Sequence, residues 1–472
     1  MGLNVGSAGL LGAAVVVCLQ VAISWLHGHP SSGPEALVRS LLPVASTLFE
    51  GMGAGWTAAS SPPQQPTGGH ATFVIVGAGA AGLQWGVLCE NAGIDYVILE
   101  RNGNAGSFFE HLPRKRGLIS VNKRHVGRNM SREFALRHDW HTLVDTNKTM
   151  GDFSHAFYPK ADDLVRYQRS VGEDLNIVYD TTVKGTEWVA RADAEGKKPD
   201  SSDSGSGSKS EPHVHRITTD KGVWTAEHFV VATVSGAYLA DLATGEGDSS
   251  CARAYMQAKS NFAPHPCFVR HAKGYRMRDP PECATEPADL PDVPWTFYTY
   301  DNFPDAWAGE GDAEFCKNKH IAVLGSGNAA FETVDMLSGC AASVHMLCKN
   351  RPRFSWQTHY VGDVRMHNGG LFDHYQLKSL DTALCAGTKA PCADLVAHSK
   401  EIPFDVVVFA GGFTTQRDGL VNVSEGSKFP AIEAWWADPA QTNKWFSGSI
   451  MHAADFRKSA GGFIHGFRYL VR

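Results

Sequence analysis

The clearest pattern of apolar positions lies in residues 71–100, where two short apolar runs flank a glycine-rich stretch and a helical pattern. The β-branched run Phe73–Val76 predicts a buried strand. The helical pattern that follows closes at Ala92-Gly93, and glycine commonly follows the last residue of a helix. A second apolar run, Tyr96–Leu99, predicts another strand and ends at the acid Glu100. The segment therefore predicts a strand, a helix and a strand.

The glycines between the first strand and the helix have the G-x-G-x-x-G spacing of a dinucleotide-binding turn. Gly77 permits the tight turn, and Gly79 lets the backbone approach a pyrophosphate. Gly82 permits close packing of helix on strand, while the helix N-terminus offers free N–H groups to the anion. Glu100, at the end of the next strand, is placed to accept hydrogen bonds from a ribose hydroxyl. A dinucleotide site is predicted here.

The same pattern recurs from His320, where Gly325, Gly327 and Ala330 occupy the three fingerprint positions. The next predicted strand is Ser343–Leu347. The position that matches the acid of the first unit is now a cysteine, and it is followed by cations, namely Cys348, Lys349, Arg351 and Arg353. Loss of the acid and gain of cations match a 2′-phosphate and favour NADP(H) over NAD(H). The alternative is that these cations form a solvated surface turn.

Two such units in one chain are typical of flavoproteins with an α/β fold and two dinucleotide-binding, Rossmann-like domains. In that arrangement the first domain holds FAD, and the NADP domain is inserted into it. Predicted boundaries are 71–240 for the first part of the FAD domain, 241–403 for the NADP domain and 404–472 for the second part of the FAD domain. Two inserts lengthen the chain: a Ser/Gly/Asp tract at 194–212, expected to be a disordered hairpin tip, and a Cys/Pro-rich stretch at 251–294.

The amino terminus carries an almost uninterrupted apolar run, Ala8–Leu26. About 20 such residues can span a bilayer as a helix, so residues 1–30 are predicted to be a signal peptide or a signal-anchor. A membrane attachment follows if the segment is not cleaved. Residues 31–70 are predicted to be a linker. The alternative is a buried helix of a soluble domain.

Composition narrows the classes of function. The chain has 472 residues, of which 43% are hydrophobic, and this excludes a largely disordered protein. The formal charge of −6 lacks the basic surplus that a nucleic-acid binder needs, so no nucleic-acid partner is expected. The ten cysteines contain no C-x-x-C pair, although Cys385 and Cys392 can form a disulfide in an oxidising lumen. The spacing of His265, Cys267, His271 and Cys283 matches no ligand pattern, so no metal site is predicted.

Several longer stretches identify the chain as a member of the flavin-containing monooxygenase-like group of oxidoreductases. The stretches that carry the resemblance are Gly106–Gly127 (GSFFEHLPRKRGLISVNKRHVG), Leu136–Trp140 (LRHDW), Ser355–Asp381 (SWQTHYVGDVRMHNGGLFDHYQLKSLD) and Asp455–Tyr469 (DFRKSAGGFIHGFRY). With both fingerprints, the resemblance covers most of residues 71–472.

The resemblance implies roles for further residues. Asn122 matches an asparagine that these enzymes place near the flavin ring and the bound nicotinamide, with a part in the reaction with oxygen, so it is the predicted catalytic residue. Contacts to the ribose and phosphate region of FAD are implied for Arg101, Gly106 and Ser107. Segments that close over the flavin are implied at Gly412, Gly448 and Asp455.

The implied activity is an FAD-dependent oxidoreductase that takes hydride from NADPH and passes electrons to oxygen or another acceptor. Within the group, the chain resembles a branch whose members reside in the endoplasmic reticulum and help to clear misfolded glycoproteins. This resemblance implies a location in that compartment, either lumenal or membrane-anchored, and degradation factors as partners. One alternative is a monooxygenase that oxygenates a small nucleophilic substrate, although the F-x-G-x-x-x-H-x-x-x-[F/Y] signature of such enzymes is absent. The other is a non-enzymatic degradation factor with structural FAD. The sequence does not identify the substrate.

Overall fold

The computed structural model of the protein has a mixed α/β fold. The residues it describes are 66–127, 130–194, 212–233, 237–238, 268–271, 274–277, 296–300, 306–307, 310–311, 313–347, 352–369, 404–410, 413–414, 420–423 and 429–472. The predicted amino-terminal apolar segment and its linker up to residue 65 lie outside these residues, as do both cysteines of the Cys385–Cys392 pair. No helix among the described residues is long and apolar enough to cross a membrane.

The first sheet has seven strands. Five run parallel, in the order β3-β2-β1-β6 with β17 beside the end of β6, and an antiparallel hairpin, β5-β4, extends the sheet from the start of β6. The strands are β1 (Gly69–Val76), β2 (Tyr96–Leu99), β3 (Ile177–Val178), β4 (Val183–Ala190), β5 (His213–Thr219), β6 (Val223–Val231) and β17 (Lys444–Phe446).

The second sheet has six strands in the order β14-β13-β15-β10-β9-β8. Strands β14, β13, β15 and β10 run parallel, and β9 and β8 are antiparallel additions. The strands are β8 (Phe268–His271), β9 (Gly274–Met277), β10 (Thr296–Thr299), β13 (His320–Leu324), β14 (Ser343–Leu347) and β15 (Val406–Phe409). All of them lie in the sequence between β6 and β17 of the first sheet. We call each sheet with its helices the first unit and the second unit.

Two strand pairs stand outside these sheets, and short helices cover both units. The pairs are β7 (Ala237–Tyr238) with β16 (Phe413–Thr414), and β11 (Ala306–Trp307) with β12 (Glu310–Gly311). The α-helices are α1 (Ala80–Ala92), α2 (Phe108–His111), α3 (Arg132–Leu136), α4 (Ala161–Gly172), α5 (Arg191–Ala194), α6 (Asn328–Leu337), α7 (Ser355–Thr358), α8 (Met366–Gly369), α9 (His452–Asp455) and α10 (Ile464–Leu470). The 3-10 turns are Met150–Asp152, Ala313–Phe315, Ala434–Trp436 and Gly448–Met451.

Each unit has a core between its sheet and the helix that follows its glycine-rich turn. Helix α1 buries Leu83 against Ile75 and Ile98 of the first sheet, and it ends where Gly93 adopts a left-handed conformation (φ 65°). Helix α6 buries Phe331 in the core of the second sheet. The strands and helices of both predicted strand–helix–strand segments are thus present, and the predicted strands Tyr96–Leu99 and Ser343–Leu347 have the predicted ends.

One predicted boundary is wrong. The sequence pattern places the return into the FAD domain at residue 404, but β15 pairs with β13 on one side and β10 on the other, in the middle of the second sheet. Its four residues are buried on both faces, as a central parallel strand requires. The first sheet resumes only at β17, which pairs with β6. An apolar strand reads the same in either sheet, so the sequence pattern alone does not assign it.

Candidate nucleotide-binding sites

The first glycine-rich turn, Gly77–Gly82, joins β1 to α1 and shows why two of its three glycines are required. Gly77 has φ +100°, a conformation that L side chains rarely adopt. A Cβ atom at Gly82 would lie 1.9 Å from the carbonyl oxygen of Gly77, so the helix packs on the turn only if residue 82 has no side chain. These features agree with a tight turn at Gly77 and close packing at Gly82.

The middle glycine of this turn has a different environment. Gly79 has ordinary extended angles, and a Cβ atom there would meet no atom of the described residues within 4 Å. Gly79 is also the N-cap residue of α1, and no side chain caps this helix end. Open space at the start of a 13-residue helix, with backbone N–H groups available, fits a pyrophosphate group.

A network of hydrogen bonds ties the predicted acid to the turn. The buried Glu100 accepts from the backbone N–H of Ala78 through Oε2, at 2.6 Å. Its Oε1 accepts from both the backbone N–H and the side-chain Nδ2 of Asn102, at 2.9 Å each. Asn102 Nδ2 also donates to Ser107 Oγ at 2.8 Å. The glycine motif does not predict a role for Asn102. The only sequence signal for this residue is its place two residues after Glu100. The ribose contact of Glu100 stays a prediction.

Gly106 joins the same cluster through the backbone. Its N–H donates to the carbonyl of Ala78 at 3.0 Å, and its φ of +75° favours glycine. A Cβ atom on Gly106 would lie 2.7 Å from Oε1 of Gln168, a side chain of α4 that is only 1% exposed. Neither polar atom of the Gln168 amide has a hydrogen-bond partner among the described residues. Burial without partners is costly, so this amide fits a role as donor and acceptor to a bound group.

The carboxy-terminal segment returns to the first turn at Gly448. This glycine has φ +81°, and a Cβ atom there would lie 3.0 Å from Cβ of Ala81 in α1. The preceding residue, Ser447, donates its backbone N–H to the carbonyl of Val231 at the end of β6. Its buried hydroxyl has no partner in the part of the chain that the structure describes. Gln168 and Ser447 thus add two partnerless polar side chains beside the turn, and sequence spacing gave no signal for either.

Three other predicted site residues make no side-chain hydrogen bond to this cluster among the described residues. Arg101 is exposed. Asp455, at the end of α9, accepts from the hydroxyl of Ser459, and burial raises the pKa of its carboxyl. Asn122 is 3% exposed, donates through Nδ2 to the carbonyl of Ser154 at 3.0 Å, and forms an isolated bridge with Asp139. The predicted role of Asn122 near a flavin ring stays a prediction.

The second turn, Gly325–Ala330, repeats the backbone design of the first. Gly325 has φ +149°, and a Cβ atom there would lie 2.3 Å from the carbonyl oxygen of Ala410. Gly327 is the N-cap of α6 and again faces open space, since none of the residues that the structure describes lies within 4 Å of an added Cβ atom. Ala330 is fully buried at the third position. This turn also leaves room for a pyrophosphate at a helix N-terminus.

A second segment closes over the start of α6 and was not predicted. Asn328 donates through Nδ2 to the carbonyls of Gly362 and Asp363, at 3.2 and 3.0 Å. Its Oδ1 accepts from the backbone N–H of Arg365 and from Nδ2 of Asn368, at 2.9 and 3.0 Å. All the hydrogen-bonding capacity of this side-chain amide is directed at residues 362–368. The segment therefore frames the second site on one side.

The predicted residues Lys349, Arg351 and Gly412 lie outside the described residues. So do His265, Cys267 and Cys283 of the cluster considered for metal. Among the residues that the structure describes, no group of three or more His, Cys, Asp or Glu side chains could hold a metal ion.

The first site fits the adenosine and pyrophosphate part of FAD. A helix N-terminus faces open space, an acid lies at the end of the adjacent strand, and partnerless polar atoms lie beside the turn. The second site fits the pyrophosphate of a second dinucleotide, with the same turn and helix. Both lie at the carboxyl ends of parallel strands, where ligands bind in open α/β sheets.

Comparison with known proteins shows which proteins this chain resembles. The family described as pyridine nucleotide-disulphide oxidoreductase matches residues 74–191, which include the first turn. FAD-dependent oxidoreductase domain-containing protein 2 of Mus musculus is 31% identical over 451 residues, which cover 85% of this chain and 57% of that protein. The protein of the same name from Danio rerio is 28% identical over 467 residues, with the same coverage. The chain therefore spans less than two thirds of these curated relatives.

Among solved structures, the flavin-containing monooxygenase of Stenotrophomonas maltophilia is similar to this chain with a TM-score of 0.53 and 15% sequence identity. The match covers 85% of this chain and 96% of that one. At this identity the likeness shows a common fold.

Proposed function

Because the chain belongs to the FAD-dependent oxidoreductases with a flavin-monooxygenase-like fold, we propose that it oxidises NADPH and passes the electrons to oxygen or another acceptor. The bound cofactors supply the redox chemistry: a hydride, two electrons with one proton, moves from NADPH to FAD, which leaves NADP⁺ and reduced flavin. The observation that carries the proposal is the presence of two separate turns, each opening onto free space at a helix N-terminus.

In this proposal the first unit holds FAD. Helix α1 directs its free N–H groups at the pyrophosphate across Gly79. Glu100 accepts from the adenosine ribose, and Asn102 keeps that carboxylate in place through two hydrogen bonds. Gln168 and Ser447 supply further polar contacts, because their buried polar atoms have no partners within the described ranges of the chain. Asn122 lies at the flavin ring, as the family resemblance implies.

The second unit, inserted in the sequence of the first, holds NADPH. Gly327 and the start of α6 receive its pyrophosphate. Lys349 and Arg351 follow the strand end where the first unit has its acid, and they neutralise the 2′-phosphate. The proposal thus gives the two turns the same role, binding of a pyrophosphate, and places the choice of cofactor at the strand end.

Anaerobic reduction tests the proposal. Purified protein, yellow from bound FAD, is mixed with NADPH or NADH without oxygen, and the flavin absorption band is followed. Bleaching by NADPH, and much slower bleaching by NADH, is expected. An unchanged band with NADPH would contradict the enzymatic proposal and favour a protein whose FAD is structural. If bleaching occurs, product analysis after admission of air distinguishes a monooxygenase, which inserts oxygen into a substrate, from an oxidase or reductase.

We further propose the lumen of the endoplasmic reticulum as the location, with degradation factors as partners. One structural feature supports an oxidising compartment: a disulfide joins Cys316, before β13, to Cys340, after α6. The apolar run Ala8–Leu26 supports entry into the secretory pathway. A reporter fused to Met1–Pro66 is expected to enter the endoplasmic reticulum, and a cytosolic reporter would contradict this location.

A further inference from the structure

One segment of the first unit reaches into the second and returns. It begins beside the first turn at Gly106, whose N–H donates to the carbonyl of Ala78. It returns at Arg116, whose guanidinium pairs with Asp162 of α4 at 2.7 Å and whose carbonyl accepts from the N–H of Ala161. We call residues 106–116 the linking segment.

Between these two anchors, the linking segment contacts both units: Phe109 packs against the core of the first unit, and other residues pack in the core of the second. Leu112 is 5% exposed and belongs to the same apolar cluster as the strands β13 and β15. Phe108 packs against that cluster as well. The linking segment is therefore shared by both units, and it begins beside the proposed FAD site.

A buried carboxylate receives the end of this segment. Glu332, on α6, is 5% exposed, and its Oε1 accepts from the backbone N–H of Lys115 at 2.5 Å and from the hydroxyl of Tyr300 at 2.8 Å. The Tyr300 oxygen in turn accepts from the backbone N–H of Arg114 at 3.1 Å. Lys115 directs its ammonium group to Asp335, one turn further along α6. Helix α6, the end of β10 and the linking segment therefore meet at one carboxylate.

An apolar residue would be the ordinary choice at this position. Burial raises the pKa of the Glu332 carboxyl, while the hydrogen bonds from Lys115 and Tyr300 act to lower it. Desolvation of a carboxylate in a core is unfavourable, and removal of its partners leaves polar groups unsatisfied. Because burial of the Glu332 carboxylate is unfavourable, we expect this residue to have a role beyond packing. The geometry defines the role, because Glu332 fixes α6 to a segment that begins at the first turn.

Resting on the proposed function, we infer that Glu332 is a positioning residue for hydride transfer. It lies five residues after Gly327, on the helix whose N-terminus receives the pyrophosphate of NADPH. Through the linking segment it sets the position of that helix, and of the nicotinamide it carries, relative to the flavin in the first unit. Hydride transfer depends steeply on the distance and angle between donor and acceptor, so loss of this attachment should slow the transfer without removing either cofactor.

The test compares E332A, E332Q and Y300F with a control, D405A. Asp405 is a suitable control because it too is a second-unit acid that accepts from a backbone N–H, that of His320 at 2.9 Å, but it lies at the start of β15, away from the linking segment. FAD content, NADPH affinity and the rate of anaerobic flavin reduction at saturating NADPH are measured for each, with dithionite as a reductant that needs no second site.

In E332A the rate of reduction by NADPH should fall by about 10- to 100-fold, with FAD content, NADPH affinity and reduction by dithionite unchanged. E332Q should recover most of the rate, because its amide oxygen still accepts from Lys115 and Tyr300. Y300F should lose less than E332A, and D405A should match the wild type. If E332A fails to fold, Y300F still gives the test, since its rate must then fall while E332Q stays near the wild type.

Wild-type reduction rates in E332A, or in Y300F should E332A not fold, would overturn the inference while leaving the proposed function intact. A wild-type flavin that NADPH does not reduce would overturn the proposed function and this role of Glu332 with it. Hydrogen–deuterium exchange provides a readout that does not depend on NADPH: the amide of Lys115 should exchange at least about tenfold faster in E332A and not in D405A. Unchanged exchange would contradict the attachment itself.

Discussion

The two glycine-rich turns of this protein have similar backbones, but the strands that follow them end in residues of different charge. In both, the first glycine takes a positive φ, +100° at Gly77 and +149° at Gly325, and the second glycine faces open space at a helix N-terminus. They differ at the end of the next strand, where the first unit has Glu100 and the second has Cys348 followed by cations. In the proposed function, each turn receives a pyrophosphate and the strand end chooses between dinucleotides.

The two units also differ in what stabilises them. Among the described residues, the histidines whose pKa burial lowers most lie in the first unit: burial lowers the pKa of His141, and lowers the pKa of His215 and of the partly buried His465 to about 4. The second unit has the disulfide between Cys316 and Cys340. Acid and reductant should therefore act on different halves of the molecule, and this makes the comparison testable.

Acid should have the largest effect. His215 and His465 stay neutral in the folded protein, whereas histidine in the unfolded chain binds a proton near pH 6.5. Their contribution to the free energy of unfolding is therefore fully present above pH 6.5 and is lost as the pH falls toward about 4. The loss should be on the order of 5 kcal/mol, measured by chemical unfolding across this range. In H215Q, whose amide can still donate to the carbonyls of Thr442 and Asn443, the pH dependence should be weaker. An equal pH dependence in H215Q would contradict the assignment to His215.

Substitution at the third turn position should separate the two turns next. G82A places a Cβ atom 1.9 Å from a backbone oxygen and should cost at least about 3 kcal/mol in the free energy of unfolding. The matched exchange in the second turn, A330G, should cost only about 1 kcal/mol, because it adds flexibility to a helix without a clash. Equal costs for the two variants, measured by denaturant unfolding, would show that the close packing at Gly82 is not what distinguishes the turns.

Loss of the disulfide should weaken the second unit alone. The bond joins cysteines 24 residues apart, and its removal in C316S/C340S should cost about 3 kcal/mol. Hydrogen–deuterium exchange should accelerate in β13, β14 and α6, while β1, β2 and α1 keep the wild-type rates. Faster exchange throughout both units would instead indicate that the chain unfolds as one cooperative body.

Removal of the Glu100 carboxylate should have the smallest effect, and that effect should be local. E100A leaves the N–H of Ala78 and the amide of Asn102 without their acceptor, so FAD affinity should fall by about tenfold, equivalent to about 1.4 kcal/mol. The control is E90A on α1, where Glu90 is exposed and accepts from the Tyr96 hydroxyl, at 2.9 Å. Fluorescence titration of the apoprotein with FAD measures both. An equal loss in E90A would contradict a specific role for Glu100.

Much of the site could be predicted because its signals are local. Turn glycines at fixed spacing, the preceding strand and the acid at the next strand end all lie within about 30 residues, and the structure has each of them where the pattern placed it. Residues brought in from a distance gave no such signal. Gln168 and Ser447 meet the first turn only through the packing of α4 and β17, and Asn328 finds its partners 34 and 35 residues away.

The misassigned strand has the same explanation. The apolar run of β15 indicates that the strand is buried, and nothing in the run indicates which sheet buries it. Pairing with β13 and β10 is set by the whole second unit. Local patterns therefore predict elements and turns, whereas the assignment of a buried strand depends on long-range contacts.

The central claim is that the first turn binds FAD and the second binds NADPH. One absorbance experiment on two matched variants tests it most directly. G79V and G327V each place a side chain in the open space of one turn, where the protein itself has room for it. The flavin band is recorded before and after anaerobic addition of NADPH. We expect G79V to be folded but colourless, and G327V to be yellow but not bleached. A yellow G79V, or a G327V bleached at the wild-type rate, would contradict it.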